Sequence, residues 1–395
     1  MADPSASRSR GGLVLAAASV VLWLHPSLPG DGGAVRAQSP PAQSAPAPAA
    51  EDFARDREKI FDAFYRTGLD TSRPYTVTNL SIKKDNVTLL LKQGVVFLSQ
   101  PIAGEITGAA FLGEGLISMT PPNRTERYML KKHYGAEVLN EPFAEAVFRF
   151  TDGTHRPIIG SGKADPAATG KAARATEIYG ERNGYLNGNR DLALDMQWLE
   201  NRISKLDGAD FFTGQVRFAK HGWVSFVHNP VETLENRIFT EGTLGGGGRW
   251  YEVTWTEWHE AGDYNPSGHY VKHPERDGPP VLRVRHEDLI LDMSTTKSVE
   301  WDARLRIEPR IDGIRAVRLD LVNNSDFNTR WYEDQFQPNR LLEVSDGTGS
   351  RLEHLHRRDS VLVVLPAPAP AGTPLVLRFK GKADVIYQLT AESFG

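Results

Sequence analysis

Alternation of polar and apolar residues is the main pattern in the last third of the chain. Residues 288–293 (DLILDM), 304–309 (RLRIEP) and 314–321 (IRAVRLDL) have apolar side chains at alternating positions, which an extended backbone places on one face. Residues 360–366 and 375–379 continue the pattern. We predict antiparallel strands with one buried face, and we expect burial at alternating positions: Leu289, Leu291, Leu305, Ile307, Val361 and Val363.

A second group of short apolar runs fills residues 75–119 and returns at 211–219, 223–228 and 250–258. The early runs recur at intervals of roughly eight to twelve residues with Gly or Asn between them, which is typical of antiparallel sheets. No helical pattern separates them, and this argues against parallel β-α-β units.

Two segments have helical periodicity instead. Residues 51–66 and 191–205 each bring apolar side chains to one face at helical spacing. The buried positions expected for these two helices are Phe53, Ile60, Phe61 and Phe64 in the first, and Leu194, Trp198, Leu199 and Ile203 in the second. Residues 160–175 are rich in Gly, Ala and Lys and predict a flexible loop.

These patterns predict a mainly β protein with two antiparallel, sandwich-like or saddle-like domains and a few helices. We expect a β-rich N-terminal extension domain with short helices at 51–275 and a second β-domain at 285–395, joined near residues 275–288. Residues 38–50 (QSPPAQSAPAPAA) form a Pro/Ala linker.

The N-terminus predicts export. Arg8 and Arg10 precede the apolar run 13–24, which is too short to span a bilayer comfortably, and a small-residue site follows at 35–37. We therefore expect a signal peptide at 1–37 and a periplasmic or extracellular location, with an uncleaved membrane anchor as the alternative. The chain has no cysteine, so disulfides are excluded, and its net charge of −4 gives no indication of nucleic-acid binding.

The strand order from 289 onward, with "LP…P…AG" leading into "LRFKGK" at 377–382, resembles the N-terminal domain of aminopeptidase N-type zinc peptidases, the membrane alanyl aminopeptidase family of gluzincins. The stretch 76–258 resembles the β-rich extension that precedes the peptidase in large bacterial members. The resemblance implies that the C-terminal β-domain packs beside a catalytic domain that holds the metal, and that it shapes access to the active site.

The catalytic motif of that family is missing from the chain. His-Glu-x-x-His places two zinc ligands on one helical face with the Glu as general base. His259-Glu260 continues with Ala-Gly-Asp and His286-Glu287 with Asp-Leu-Ile, and Gly-x-Met-Glu-Asn, which binds the substrate amine, is also absent. No catalytic residue, metal ligand or cofactor site is therefore predicted.

A dense aromatic segment is the remaining candidate site. Trp250, Trp255, Trp258, His259 and Tyr264 would suit a stacking platform for a peptide or a glycan. Burial of these rings in a core or a domain seam is the commoner outcome for such a strand.

A metal-binding loop is a further hypothesis for the same segment, because it holds His259, Glu260, Asp263, His269 and His273. Irregular spacing favours a solvated polar loop instead. Three functions therefore remain open: a non-catalytic relative or fragment of an aminopeptidase, active only if a catalytic domain lies on a separate chain; an extracellular peptide- or glycan-binding module; and a metalloenzyme built on this loop.

Overall fold

The computed structural model describes residues 22–23, 50–188, 194–206, 209–232, 234–244, 249–271, 281–294, 298–321, 340–357 and 360–383. In chain order, the strands and helices are β1 (Leu22–Trp23), α1 (Ala50–Arg55), α2 (Arg57–Arg66), β2 (Tyr75–Lys84), β3 (Val87–Leu98), β4 (Gly108–Met119), α3 (Arg124–Tyr134), β5 (Leu139–Phe150), α4 (His155–Ser161), β6 (Lys163–Ala164), α5 (Ala172–Gly188), α6 (Leu194–Ser204), β7 (Phe212–Phe218), β8 (Gly222–His228), β9 (Asn236–Leu244), β10 (Arg249–Trp258), β11 (Leu282–Asp292), β12 (Val299–Pro309), β13 (Ile314–Leu321), β14 (Arg340–Asp346), β15 (Glu353–Arg357), β16 (Ser360–Ala369) and β17 (Leu375–Ala383).

The N-terminal half is built on one antiparallel sheet of nine strands, in the order β10-β9-β8-β7-β5-β4-β3-β2-β6. The sheet curves so strongly that the turn between β2 and β3 reaches the end of β10. Asp85 in that turn accepts a hydrogen bond from the indole N–H of Trp258 (3.2 Å) and from the amide of Asn236 (3.1 Å). Because these residues lie near opposite ends of the strand order, the contacts require a deeply concave sheet.

The concave face encloses the largest core of the described residues, which combines aliphatic side chains with several aromatic ones: Phe111, Phe143, Phe148, Phe150, Phe212, Phe226, Trp255 and Trp258. Helix α3 packs against β10 along one side of this core through Leu130 and Tyr134. Asn123 caps the helix by accepting from the amide of Glu126 (2.9 Å), and Gly135 ends it in a left-handed conformation at φ 100°.

Helices cover the remaining faces. On the convex face, α5 packs Ala175, Ile178 and Tyr179 against β3, β4 and β5. A separate layer of α1, α2 and α6 lies between β8–β9 and the C-terminal strands β13, β15 and β16. Helix α6 is the centre of that layer, because every residue in it except Arg202 is buried.

Two four-stranded antiparallel sheets form the C-terminal sandwich, in the orders β1-β13-β16-β15 and β11-β12-β17-β14. Their facing sides share a core that includes Trp301, Leu305, Val317, Val363 and Phe379. Strand β1 has only two residues, which belong to the apolar run predicted to be a signal peptide, and it pairs with Leu321 and Asp320 at the end of β13. No helix among the described residues is long and apolar enough to cross a membrane.

The predicted fold class is confirmed: the protein is mainly β and antiparallel, with a few helices. The first predicted helix is present as two helices, α1 and α2, and the second as α6. The prediction of a flexible loop at 160–175 is wrong, since this stretch contains the end of α4, β6, a 3₁₀ turn (Pro166–Lys171) and the start of α5. Its alanines favour helix, and Ala175 packs on the sheet. The domain boundaries stay a prediction.

The expected burial pattern is correct for four of six positions. Leu305, Ile307, Val361 and Val363 are buried. Leu289 and Leu291 are 39% and 43% exposed, so the prediction is wrong for both. They pair with the buried Ala303 and Trp301 and therefore point to the inner side of the sheet. Strand β11 lies at the sheet edge, where the facing sheet no longer covers it.

Replacing Val363 by alanine should lower the free energy of unfolding by about 1–3 kcal/mol, because the fully buried side chain lies on β16 between two paired strands. Urea denaturation of the purified protein measures this change. Leu342→Ala on β14 is the matched control, since that side chain is 56% exposed and its truncation should cost less than about 0.5 kcal/mol. Equal losses in both variants would contradict the assignment of the core.

Candidate functional site

The tryptophans predicted to form a binding platform lie in the concave core. Trp255 and Trp258 are 2% and 0% exposed. Trp255 stacks on Tyr134 with ring centres 5.9 Å apart and donates to the hydroxyl of Thr240 (3.1 Å). Rings that expose no face cannot stack on a ligand from solvent, so the prediction of a binding platform is wrong for these two residues. Trp250 belongs to β10, but its side chain lies outside the described part of the structure.

The other two predicted residues, His259 and Tyr264, lie together just after β10. The ring of His259 stacks on Tyr270 at 4.1 Å between centres, with 25° between their planes. Tyr264 accepts a hydrogen bond from the backbone N–H of His259 (3.2 Å) and meets Tyr270 edge-on at 6.1 Å. Tyr270 is 41% exposed, so this aromatic cluster reaches the surface where the tryptophans do not.

Sequence reasoning missed Glu235, the acidic residue beneath the cluster. Its carboxylate lies 3.2 Å from Nδ1 of His259, and its side chain is only 13% exposed. Burial, together with the negative charges of Asp263 and Glu260, raises the pKa of Glu235 to about 7. A carboxyl group that titrates near neutral pH beside an imidazole can hold or release a proton. No motif in the sequence marks this residue, because its neighbours His259, Glu260 and Asp263 lie in a different segment, after β10.

Asp85, also missed, holds the site in place. Its backbone has a φ of 49°, which an Asp in a tight turn tolerates. Its carboxylate accepts the backbone N–H of Ala261 (2.9 Å) as well as the side chains of Trp258 and Asn236. An Asp-Asn pair such as 85–86 is typical of turns, but only the curvature of the sheet shows what Asp85 contacts.

The hypothetical metal loop is not assembled by the described residues. Among them, no three His, Asp or Glu side chains are grouped so that they could hold a metal ion. His259 is engaged with Glu235 and Tyr270, and the backbone of His269 belongs to a turn in which its N–H donates to Asn265 (3.0 Å). His273, the fifth candidate, lies outside the described residues.

Comparison with known proteins gives limited results. No family model matches the chain. No curated protein matches either. Among solved structures, the M1 zinc metallopeptidase of Deinococcus radiodurans matches at 21% identity, over 27% of this chain and 22% of that one, with a TM-score of 0.21. A mutant of that enzyme bound to a Tyr-Ser-Ala substrate matches at 22% identity, over 27% of this chain and 21% of that one, also with a TM-score of 0.21.

The chain thus spans about a fifth of the length of the peptidases it matches. The class that the structure itself defines is a mainly β protein made of a curved sheet, a helical layer and a sandwich. Likeness to the peptidases at this level identifies neither an activity nor a family.

The high pKa of Glu235 predicts a pH dependence of stability. The folded protein binds this proton more tightly than the unfolded chain, whose Glu pKa is about 4.3, so the contribution of Glu235 to stability is fully present below that pH and is lost as pH rises through about 7. Glu235→Gln should therefore gain stability over the native protein, on the order of 2 kcal/mol more at pH 8 than at pH 5. Urea unfolding at both values measures the gain.

Glu137→Gln is the matched control for this experiment, because Glu137 is 54% exposed at its side chain and pairs with Lys131 at the surface. Its difference from the native protein should not change with pH. A Glu235→Gln difference that is equally flat would show that this carboxyl titrates normally.

Proposed function

We propose that this chain is an exported, non-catalytic β-protein of the aminopeptidase N type, whose C-terminal sandwich packs against a zinc-peptidase catalytic domain. In this proposal the sandwich shapes access to an active site that the chain does not itself contain. Export rests on the signal-like N-terminus, and kinship rests on the strand order and on the "LRFKGK" segment of β17.

One observation carries the proposal: the inner face of the sandwich is exposed at strand β11. Leu289 and Leu291 point inward and are uncovered, while Ile290 on the opposite face is 68% exposed and Met293 just beyond the strand is 50% exposed. Leu289 and Leu291 together form an exposed apolar surface on the inner face, and exposed apolar patches mark interaction sites in soluble proteins. A domain that normally packs beside another would expose such an edge when it is alone.

Charged side chains precede this apolar surface on the same strand. His286 and Asp288 pair on the outer face (2.9 Å), and Arg285 pairs with Glu308 (2.7 Å). The apolar stretch 289–291 therefore follows a polar stretch on the same strand, which resembles the hydrophobic centre and polar rim of protein interfaces.

A peptide- or glycan-binding module is the second candidate, favoured by the stack of Tyr270 on His259. Such a ligand would use these two exposed or half-buried rings with Tyr264, since Trp255 and Trp258 are enclosed. Its binding surface would be far smaller than a tryptophan platform, and we therefore place it second.

The purified chain should not hydrolyse aminoacyl arylamides, with or without added zinc. Hydrolysis needs a metal with an open position, a general base and an anchor for the free amine, and the sequence has no His-Glu-x-x-His to provide the first two. Release of arylamine measures the activity. Turnover that chelators abolish, and that Glu260→Ala or Glu287→Ala removes, would contradict this prediction. Turnover that persists in both variants would indicate a contaminant.

Binding to a catalytic domain tests the interaction itself. A purified zinc-peptidase catalytic domain from the same organism should form a complex in calorimetry, and Leu289→Ser/Leu291→Ser should weaken it at least tenfold by removing apolar contact area. Leu342→Ser, on the opposite edge strand β14, is the control and should bind like the native chain. Equal affinity of all three proteins, or no complex at all, would contradict the proposal.

A further inference from the structure

A cleft lined by arginines lies where the helical layer meets the C-terminal sandwich. It encloses about 450 Å³ between α1–α2 and the strands β13, β15 and β16. Glu353 is the only acidic residue among the residues that line it. Four arginines line it as well: Arg55, Arg57, Arg315 and Arg351. A cavity of this volume is within the range of sites for small molecules.

Two of the arginines are held by the protein. Arg57 donates to the backbone carbonyls of Ala54 (3.0 Å) and His354 (3.3 Å) and forms an ion pair with Glu353. Arg55 pairs with Asp52 and Asp56, outside the lining of the cleft. The side chain of Glu353 is 74% exposed and that of Arg57 only 13%, so Glu353 can turn to solvent when an anionic ligand takes its place beside Arg57.

Arg351 differs from these two. It lies in the segment between β14 and β15, where only its backbone is tied, through a bridge to Ser345. In the described part of the chain its guanidinium forms no ion pair or hydrogen bond, yet it lines the cleft. A side chain without a structural partner at the wall of a charged cavity is available for a ligand.

The concentration of positive charge is the physical argument for an anion. The whole chain carries a net charge of −4, whereas four guanidinium groups line this cleft. Carboxylates pair with Arg55 and Arg57, and the positive charge that faces the cleft is concentrated towards Arg351. Like charges repel one another, and clefts with low-dielectric walls focus the resulting potential. An oxyanion would relieve the repulsion, and arginine binds phosphate or carboxylate oxygens in bidentate geometry.

The floor of the cleft is apolar. Leu352, Val364 and Leu365 are buried at its base. Charged walls above an apolar floor suit a small organic molecule that carries its charge at one end, because orientation comes from the polar groups and contact area from the floor.

We propose that this cleft binds a small molecule bearing a multiply charged oxyanion, either a phosphate-type group or a polycarboxylate. The ligand bridges Arg57 at the start of α2 and Arg351 of the sandwich, and so ties the helical layer to the C-terminal sheets. This site is separate from the β11 surface and does not depend on the peptidase relationship.

Calorimetry on the full chain tests the proposal, with pyrophosphate and citrate as the probes for the two sources of the anion. Saturable binding of either probe is expected, and its affinity should fall as the salt concentration is raised. The probe that binds more tightly identifies the preferred class of anion. Arg351→Ala should lower the affinity at least tenfold. Arg351→Lys should lower it by a smaller factor, because the charge stays and the bidentate geometry is lost.

Arg306→Ala is the matched control, since it removes the same charge from an exposed position on β12 and should bind like the native protein. Unfolding midpoints of all variants without ligand verify that each is folded. The proposal is overturned if neither probe saturates at millimolar concentration, if Arg351→Ala binds as well as the native chain, or if Arg306→Ala weakens binding equally.

Discussion

The buried ion pair between Glu200 of α6 and Arg318 of β13 is the constraint on which the arrangement of the molecule depends. The Arg318 Nε lies 3.3 Å from the carboxylate, and the two side chains are 1% and 6% exposed. The same carboxylate accepts the backbone N–H of Arg318 (3.2 Å). Burying either charge alone is very unfavourable, so the pair forms only when α6 lies directly on β13.

Other polar contacts of α6 extend this constraint to the N-terminal sheet. Glu105 accepts hydrogen bonds from Trp198 and Arg202, and Ser204 accepts the backbone N–H of Ala316 (2.8 Å). One helix is therefore bound to the turn after β3 on one side and to the C-terminal sandwich on the other. The arginine cleft lies at this junction, because α1 and α2 pack on α6 and carry two of the four arginines to the sandwich.

Curvature of the nine-stranded sheet has a comparable effect on the site near His259. It brings the β2–β3 turn to the end of β10, where Asp85 holds Trp258 and Ala261. That contact closes the core over the tryptophans and leaves the aromatic cluster and Glu235 at its rim. Glu235 meets the acids of the loop after β10 because Trp258 pairs with Asn236 at the adjacent ends of β10 and β9, and burial together with Asp263 and Glu260 raises its pKa.

The sequence by itself determined the antiparallel β class, the strands of the sandwich and the helices at 51–66 and 191–205, because periodicity of side chains fixes local backbone geometry and the face that turns inward. It also excluded a His-Glu-x-x-His zinc site. The tertiary structure alone decided that Leu289 and Leu291 are exposed while Leu305 is buried, that Trp255 and Trp258 belong to a core, and that four arginines from three distant segments share one cleft. Periodicity reports which way a side chain points, whereas burial and charge clustering depend on what another part of the chain places in front of it.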